Sequence, residues 1–315
     1  ALLSLYRSGK FDDALSQAAH LIKEYPHDDR VHNLLGAIYS NLGDYEDAET
    51  SFGTALKLNP IFAKALTNIG NIINRRGQPH RALMYFKKSI LSEPMSAEAY
   101  NNLANSLRSL GKYDNSIKNY HRAIFLKPDL AEAYNNLGVV LTNINKIKDA
   151  IVNFSKAIDI KPDYQEALEN LGQRFLDARN YSSALQYFKR SNREKSQSLV
   201  LRCLYEQGEK QMFYKQLDKV FSLNIENAVV GSIVSRANIK FGSSLPNPFC
   251  NQPLDYFYRK NLESHLNFEH AFVKPCQSIL EDPKVSKRSH GLLKNGVQTI
   301  GNLFELKTEA TESIE

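Results

Sequence analysis

The sequence predicts an all-α, right-handed superhelix (a solenoid) of stacked helical hairpins, closed by a helical cap and followed by a short irregular C-terminal tail. Three observations predict it. Ala97–Leu130 and Ala131–Tyr164 are two copies of one 34-residue unit, each opening AEAYNNL and closing on a Lys-Pro-Asp turn. Pro26, Pro60, Pro94, Pro128 and Pro162 extend that spacing without a slip. Halfway between them stand Gly9, Gly43, Gly77, Gly111 and Asn145. A fixed period of about 20–50 residues means units that cannot bury their own apolar face and must stack. Proline cannot continue a helix, and glycine or asparagine tolerates the left-handed backbone at a helix C-terminus. The two columns therefore mark the end of each hairpin and the turn inside it.

The packing columns repeat with the same period. The first helix of each hairpin carries Leu35, Ile69, Leu103, Leu137 and Leu171, followed by Gly36, Gly70, Ala104, Gly138 and Gly172. The second carries Ala48, Ala82, Ser116, Ala150 and Ala184, then Phe52, Phe86, Tyr120, Phe154 and Phe188. An aromatic knob is thus set against a small residue in every unit.

In chain order, residues 1–28 form a truncated first repeat in which Leu2, Leu5, Ala14, Ala18 and Leu21 keep the apolar columns. Residues 29–62, 63–96, 97–130 and 131–164 are full repeats, and 165–198 a sixth that ends on Ser196 in place of proline. The expected domains are thus a repeat array over 1–198, a degenerate repeat plus a capping helix over 199–242, and a linker with the start of a C-terminal region over 243–315. Residues 199–242 keep helical apolar spacing, but Gly208 arrives five residues before the period would place it. The proline-rich SSLPNPFCNQP at 243–253 reads as a linker; LDYFYRKNLESHL reads as a helix, and the stretch ending SKRSHGLLKNGVQTIGNLFEL as turns and short strands. The chain opens at Ala1, without methionine and inside a helix, and stops at Glu315 just after Thr308 opens a new one. Both ends are expected to be cuts through a longer protein.

Composition narrows the function. The net charge is +6, and residues 199–315 hold 14 Lys/Arg against 13 Asp/Glu, which leaves +5 spread thinly over the repeats. Nucleic acid needs a concentrated basic patch, so none is expected as a partner. Cys203, Cys250 and Cys276 are odd in number and lack metal-ligand spacing, as expected of unpaired thiols in a reducing, cytoplasmic compartment. No apolar run is long enough to span a membrane.

Catalytic motifs are absent: there is no nucleophile elbow, phosphate loop or zinc-hydrolase helix, so no catalysis, cofactor or metal is expected within the segment. His27-Asp28-Asp29 matches part of an iron triad but sits in an inter-repeat turn, where polar residues serve the turn. His265 and His270 fall on different helix faces and, with Cys250, Cys276 and His290, give no ligand spacing. Lys284, Lys287 and Arg288 read as a solvated basic loop.

One set of polar residues repeats with the helices. Asn68, Asn102, Asn136 and Asn170 occupy one column, Asn33, Asn101 and Asn135 the column before it, and Asn71 and Asn105 a third. At about 100° per residue, Asn102 and Asn105 fall roughly opposite the core stripe of Tyr100, Leu103, Ala104 and Leu107. Stacking turns such columns into a ladder. A primary amide both donates and accepts, so the ladder could hold a peptide backbone in either sense; a merely solvated face is the alternative. On either reading, alanine at Asn102, Asn136 and Asn170 should cost little stability.

The leucine–small pair, the alanine, the aromatic and the terminal proline columns resemble the tetratricopeptide repeat (TPR) family over residues 1–198. The resemblance implies a TPR superhelix whose first helices line the concave wall. It also implies a protein- or peptide-binding interaction module, with oligomeric state undetermined. The ladder is similar to the inner surface of the O-linked N-acetylglucosamine transferases, which present asparagines to extended peptides. The lysines and arginines of the carboxylate-clamp, chaperone-binding repeats are replaced by Asn101, Asn102, Asn135 and Asn136. The tail, with NPFC at Asn247–Cys250, Pro253-Leu254-Asp255 and Asn295–Leu306, resembles the segment that joins bacterial TPR arrays to a 2-oxoglutarate- and Fe(II)-dependent oxygenase domain. The alternative function is therefore a substrate-recruiting arm for such an oxygenase, or for a glycosyltransferase, whose catalytic domain lies beyond Glu315.

Overall fold

The computed structural model describes residues 2–225, 228–243, 287–289 and 297–299. The chain divides into two compact units, Ala1–Phe249 and Cys250–Glu315. Within the first, the helices come in pairs: α1 (Leu2–Arg7) and α2 (Phe11–Glu24), α3 (Asp29–Leu42) and α4 (Tyr45–Leu58), α5 (Ala63–Arg75) and α6 (Pro79–Ser92). Next come α7 (Ala97–Ser109) and α8 (Tyr113–Leu126), α9 (Ala131–Asn143) and α10 (Ile147–Ile160), α11 (Gln165–Asp177) and α12 (Tyr181–Arg190). The last three are α13 (Glu194–Gln207), α14 (Lys210–Ser222) and α15 (Ala228–Phe241). The fold is an all-α solenoid.

Local chemistry sets the helix ends. Gly9, Gly43, Gly77, Gly111 and Asn145 all take positive φ, and so does Arg179 in the same column at +57°. The second helices α2, α4, α6, α8 and α10 each stop two residues before the periodic proline. The residue before that proline is pushed out of helical geometry, as Asn59 shows at φ −140° and ψ 91°. At the helix starts, Asp28 accepts from the Arg30 amide and Ser96 from the Ala99 amide. Asp28 of the His27-Asp28-Asp29 stretch is therefore a cap, and it also pairs with the Arg30 guanidinium, which holds its carboxyl below the usual range.

The knob-and-hole columns meet as their spacing requires. A Cβ on Gly36, Gly70, Gly138 or Gly172 would lie 2.6–2.8 Å from a ring atom of Phe52, Phe86, Phe154 or Phe188. Each of those rings is at most 1% exposed. The fourth repeat differs: Ala104 replaces glycine, and Tyr120 replaces phenylalanine.

The period does not end with the sixth repeat. It slips by five residues and resumes: Gly208 and Gly242, both at positive φ, are again 34 apart. The slip shortens α12 to 10 residues, against 14 in α10. α13 starts at Glu194, so the expected boundary at 198/199 falls inside a helix. With Gly208 as the anchor, Leu201 stands in the small column, Phe213 in the alanine column and Leu217 in the aromatic column. All three are buried. Large residues fill both small columns and leucine replaces the aromatic, which hides the repeat from pattern reading. Around them Phe213, Tyr205 and Tyr214 pack edge-on against Phe241 of α15. Cys203 is buried here as a free thiol, and burial pushes its pKa up to about 12.

Of the second unit, the described residues form one antiparallel pair, β1 (Lys287–Ser289) with β2 (Val297–Thr299), in the register Lys287↔Thr299 and Ser289↔Val297. The readings made at Cys250, His265, His270, Cys276, Lys284 and His290 lie outside the described residues. So do the linker and helix expected over 244–266 and the residues of the oxygenase resemblance, apart from Val297–Thr299. No helix among the described residues is long and apolar enough to cross a membrane.

Candidate functional site: an amide-lined wall

Each first helix packs against the next first helix: α3 against α5, α5 against α7, α7 against α9, α9 against α11. Successive second helices meet less closely. Where one layer of a solenoid is tighter than the other, it forms the inner side of the curve. The asparagine columns lie on this layer.

The structure divides the columns by burial. Asn33, Asn101 and Asn135 are sunk between neighbouring helices, at 7%, 3% and 4% exposure. Asn68, Asn71, Asn102, Asn105, Asn136 and Asn170 are half-buried. The two sets bond to each other across the repeats. Asn68 Nδ2 donates to Asn33 Oδ1 at 3.1 Å, Asn136 Nδ2 to Asn101 Oδ1 at 3.4 Å, and Asn170 Nδ2 to Asn135 Oδ1 at 2.9 Å. Within a repeat, Asn101 Nδ2 donates to Asn102 Oδ1 and Asn135 Nδ2 to Asn136 Oδ1. A buried amide left alone costs about 1–3 kcal/mol, so the buried column needs the half-buried one. Asn68, Asn136 and Asn170 thus hold repeats together as well as lining the wall, and they are not freely replaceable.

The pairing is interrupted where the sequence changes. Thr67 takes the buried position of the third repeat, and its hydroxyl lies 2.8 Å from that of Ser89, which donates to the Ala63 carbonyl. Glu169 takes that position in the sixth and accepts from Ser191 and Ser196, with Arg193 at 3.8 Å. Ser89 stands in the column where other repeats carry Ala55, Ala123 and Ala157, and its hydroxyl is partnered on both sides.

At the N-terminal end, α1, α3 and α5 enclose an open pocket of about 160 Å³. Phe52 and Ile72 line it together with Tyr6, Ser40, Asn41, Asn68, Asn71 and Arg75. Asn41 Nδ2 donates to the Tyr6 hydroxyl at 3.2 Å and to the Ala37 carbonyl. Sequence reading found Asn68 and Asn71 but missed Tyr6, Asn41 and Arg75. Asn41 and Arg75 are 34 apart, which was the available signal.

In the fourth repeat the Tyr120 hydroxyl donates to Asn105 Oδ1 at 2.5 Å. Burial pushes the hydroxyl up to about 12, against the opposing pull of Arg108 beside it. It stays protonated and donating at neutral pH. Ser116 Oγ, in place of an alanine, donates to the Ala104 carbonyl at 2.8 Å.

Comparison with known proteins agrees with this architecture. Tetratricopeptide repeat profiles match residues 1–40 and residues 30–62 and 131–164, and a TPR repeat profile matches 104–144. No curated protein matches the chain. Among solved structures, the Cut9–Hcn1 hetero-tetramer of the APC/C aligns over 75% of this chain and 48% of its own, with TM-score 0.62 and 17% identity. PilF of Pseudomonas aeruginosa aligns over 66% and 97%, with TM-score 0.58 and 19% identity. PilW, a type IV pilus biogenesis factor, aligns over 65% and 98%, with TM-score 0.58 and 19% identity. These likenesses concern the fold. The family profiles, with the 34-residue columns and the ring-on-glycine contacts, show that residues 1–62 and 104–164 are built of tetratricopeptide repeats.

Proposed function

We propose that the chain is a protein-interaction module that binds an extended peptide along the wall formed by α1, α3, α5, α7, α9 and α11. The observation that carries this reading is the line of half-buried amides, Asn68, Asn71, Asn102, Asn105, Asn136 and Asn170, on successive first helices. Amides at a helix-to-helix spacing of about 8–10 Å match the backbone of an extended chain about every third residue. The role is binding; the wall offers hydrogen bonds and shape, and no nucleophile with a base beside it.

The test uses Asn71→Ala and Asn102→Asp, because Asn71 makes no hydrogen bond to another described side chain, and the aspartate keeps the oxygen that accepts from Asn101 while removing the donor. Binding of immobilised extended peptides to the wild type and the double variant is compared. Each lost hydrogen bond should weaken binding by about 0.5–1.5 kcal/mol, or roughly 2- to 10-fold. Equal binding by both proteins would leave the amides with a structural role alone.

A further inference from the structure

The positive charge of the repeats is not evenly shared among the second helices. α2 and α4 each hold three carboxylates against one lysine. α6 reverses this: it carries Arg81, Lys87 and Lys88 and no acidic residue, and α8 carries Lys118 and Arg122 against Asp114. The reversal falls on the outer face. On α6 the exposed residues Met84, Lys87, Lys88 and Leu91 stand three and four apart, on one side of the helix. The same columns of α8 hold Lys118, His121, Arg122 and Phe125, all exposed. Lys87, Lys88, Lys118 and Arg122 enter none of the ion pairs among the described residues. Three carboxylates lie close in sequence, Glu93, Asp114 and Asp129, and Lys127 adds a fifth cation on the other side.

Apolar side chains stand beside this charge. Leu91 and Phe125 share one column at the ends of α6 and α8. Ile61 and Met95 share another, in the turns after α4 and α6, and the Ser92 hydroxyl donates to the Ile61 carbonyl, which sets that turn against the end of α6. Each of the four is between 69% and 82% exposed. Single apolar residues on a surface are ordinary, but these are paired on adjacent repeats, about 10 Å apart. The Arg122 guanidinium lies over the Phe125 ring, 5.3 Å from its centre.

We propose that the outer face of α6 and α8 docks on an anionic lipid bilayer. Lys87, Lys88, Lys118 and Arg122 meet the headgroup phosphates, and Leu91, Phe125, Ile61 and Met95 enter the interface below them. A nucleic acid backbone would take the charge but give the aliphatic side chains no partner. A folded protein would need a shaped counterpart for side chains that stand this far out. The headgroup region deforms around them and takes charge and apolar surface together. Lysine stems lie along apolar surface while their ammonium groups stay with the phosphates. Docking through the second helices leaves the first-helix layer open, so a membrane and a peptide do not compete for one face.

The experiment floats the protein with vesicles of phosphatidylcholine alone and of phosphatidylcholine mixed with phosphatidylserine. Wild type should bind the mixed vesicles and bind the neutral ones weakly. A basic residue near an anionic leaflet is worth about a fivefold change in partitioning, so Lys87→Gln with Lys88→Gln should weaken binding by about 25-fold. Leu91→Ser with Phe125→Ser should weaken it by about tenfold or more. Lys10→Gln with Lys23→Gln, the same charge loss at the two ends of α2, should leave it nearly unchanged. The chain has no tryptophan, so Phe125→Trp places a single reporter in the face. Its emission should shift to the blue with mixed vesicles, while that of Lys23→Trp, in the same column on α2, should not. Circular dichroism verifies that the variants fold. Equal binding to both vesicle types, equal loss in the α2 control, or an unshifted Phe125→Trp overturns the proposal. Failure to bind vesicles overturns it too; if DNA is then retained, and lost with Lys87→Gln and Lys88→Gln, the face belongs to nucleic acid.

Discussion

Replacing Gly138 by alanine pits two effects of known sign against each other. In a helix interior, alanine gains about 1 kcal/mol over glycine. At Gly138, however, the new Cβ would lie 2.6, 2.8 and 3.0 Å from three atoms of the Phe154 ring, against a favourable carbon–carbon separation of about 3.5–4 Å. Phe154 is 1% exposed, so the ring has no free space to swing into. Overpacking of this kind costs about 1–3 kcal/mol, so the net change runs from near zero to a loss of about 2 kcal/mol. Gly53, in the middle of α4, is the control: a Cβ there meets nothing within 4 Å, so Gly53→Ala should gain about 0.5–1 kcal/mol. Solenoids unfold in pieces, so urea melts should be paired with hydrogen exchange. The expected result is faster exchange in α9 and α10 for Gly138→Ala and slower exchange in α4 for Gly53→Ala. Adding Phe154→Leu should recover part of the loss. If both alanines stabilise equally, the ring-on-glycine contact does not set the helix spacing.

Phe154→Ala should cost about 3–5 kcal/mol, concentrated in the fifth repeat and its neighbours, and hydrogen exchange in residues 2–60 should stay unchanged. Ser106 is buried with no partner for its hydroxyl, in a column that holds Ile72 and Val140; Ser106→Ala should raise stability by about 1 kcal/mol in urea. Arg179 holds a left-handed backbone at φ +57°, so Arg179→Gly should gain a few tenths to about 1 kcal/mol, read in the same melts. At high pH, Cys203, Tyr120 and Tyr164 all have pKa values pushed up to about 12, above ordinary values of 9.0 and 10.0. Their neutral forms are favoured by folding, so that stability is complete below about pH 9 and is lost as pH rises toward 12. Tyr120→Phe should flatten the upper part of that decline in a pH series of thermal melts.

The fold was legible because each repeat restates it. Proline, glycine and the knob-and-hole columns report backbone geometry and ring packing directly, and both are local facts. The pattern failed where its meaning changed: Leu201 and Phe213 put large side chains in both small columns and Leu217 replaces the aromatic, and Arg179 takes a glycine conformation that no sequence rule assigns to arginine. The candidate wall was legible as columns but not as a network. Spacing places Asn101 and Asn136 on neighbouring helices; only three-dimensional packing reveals that one is buried and depends on the other.

The central claim, that the first-helix layer is a peptide groove, is tested most directly by hydrogen exchange of the protein saturated with an extended peptide selected for binding from a randomised pool. Protection should appear in α3, α5, α7, α9 and α11 and leave α4, α6, α8 and α10 at their free rates. Protection centred on the second helices or on α15 would contradict it.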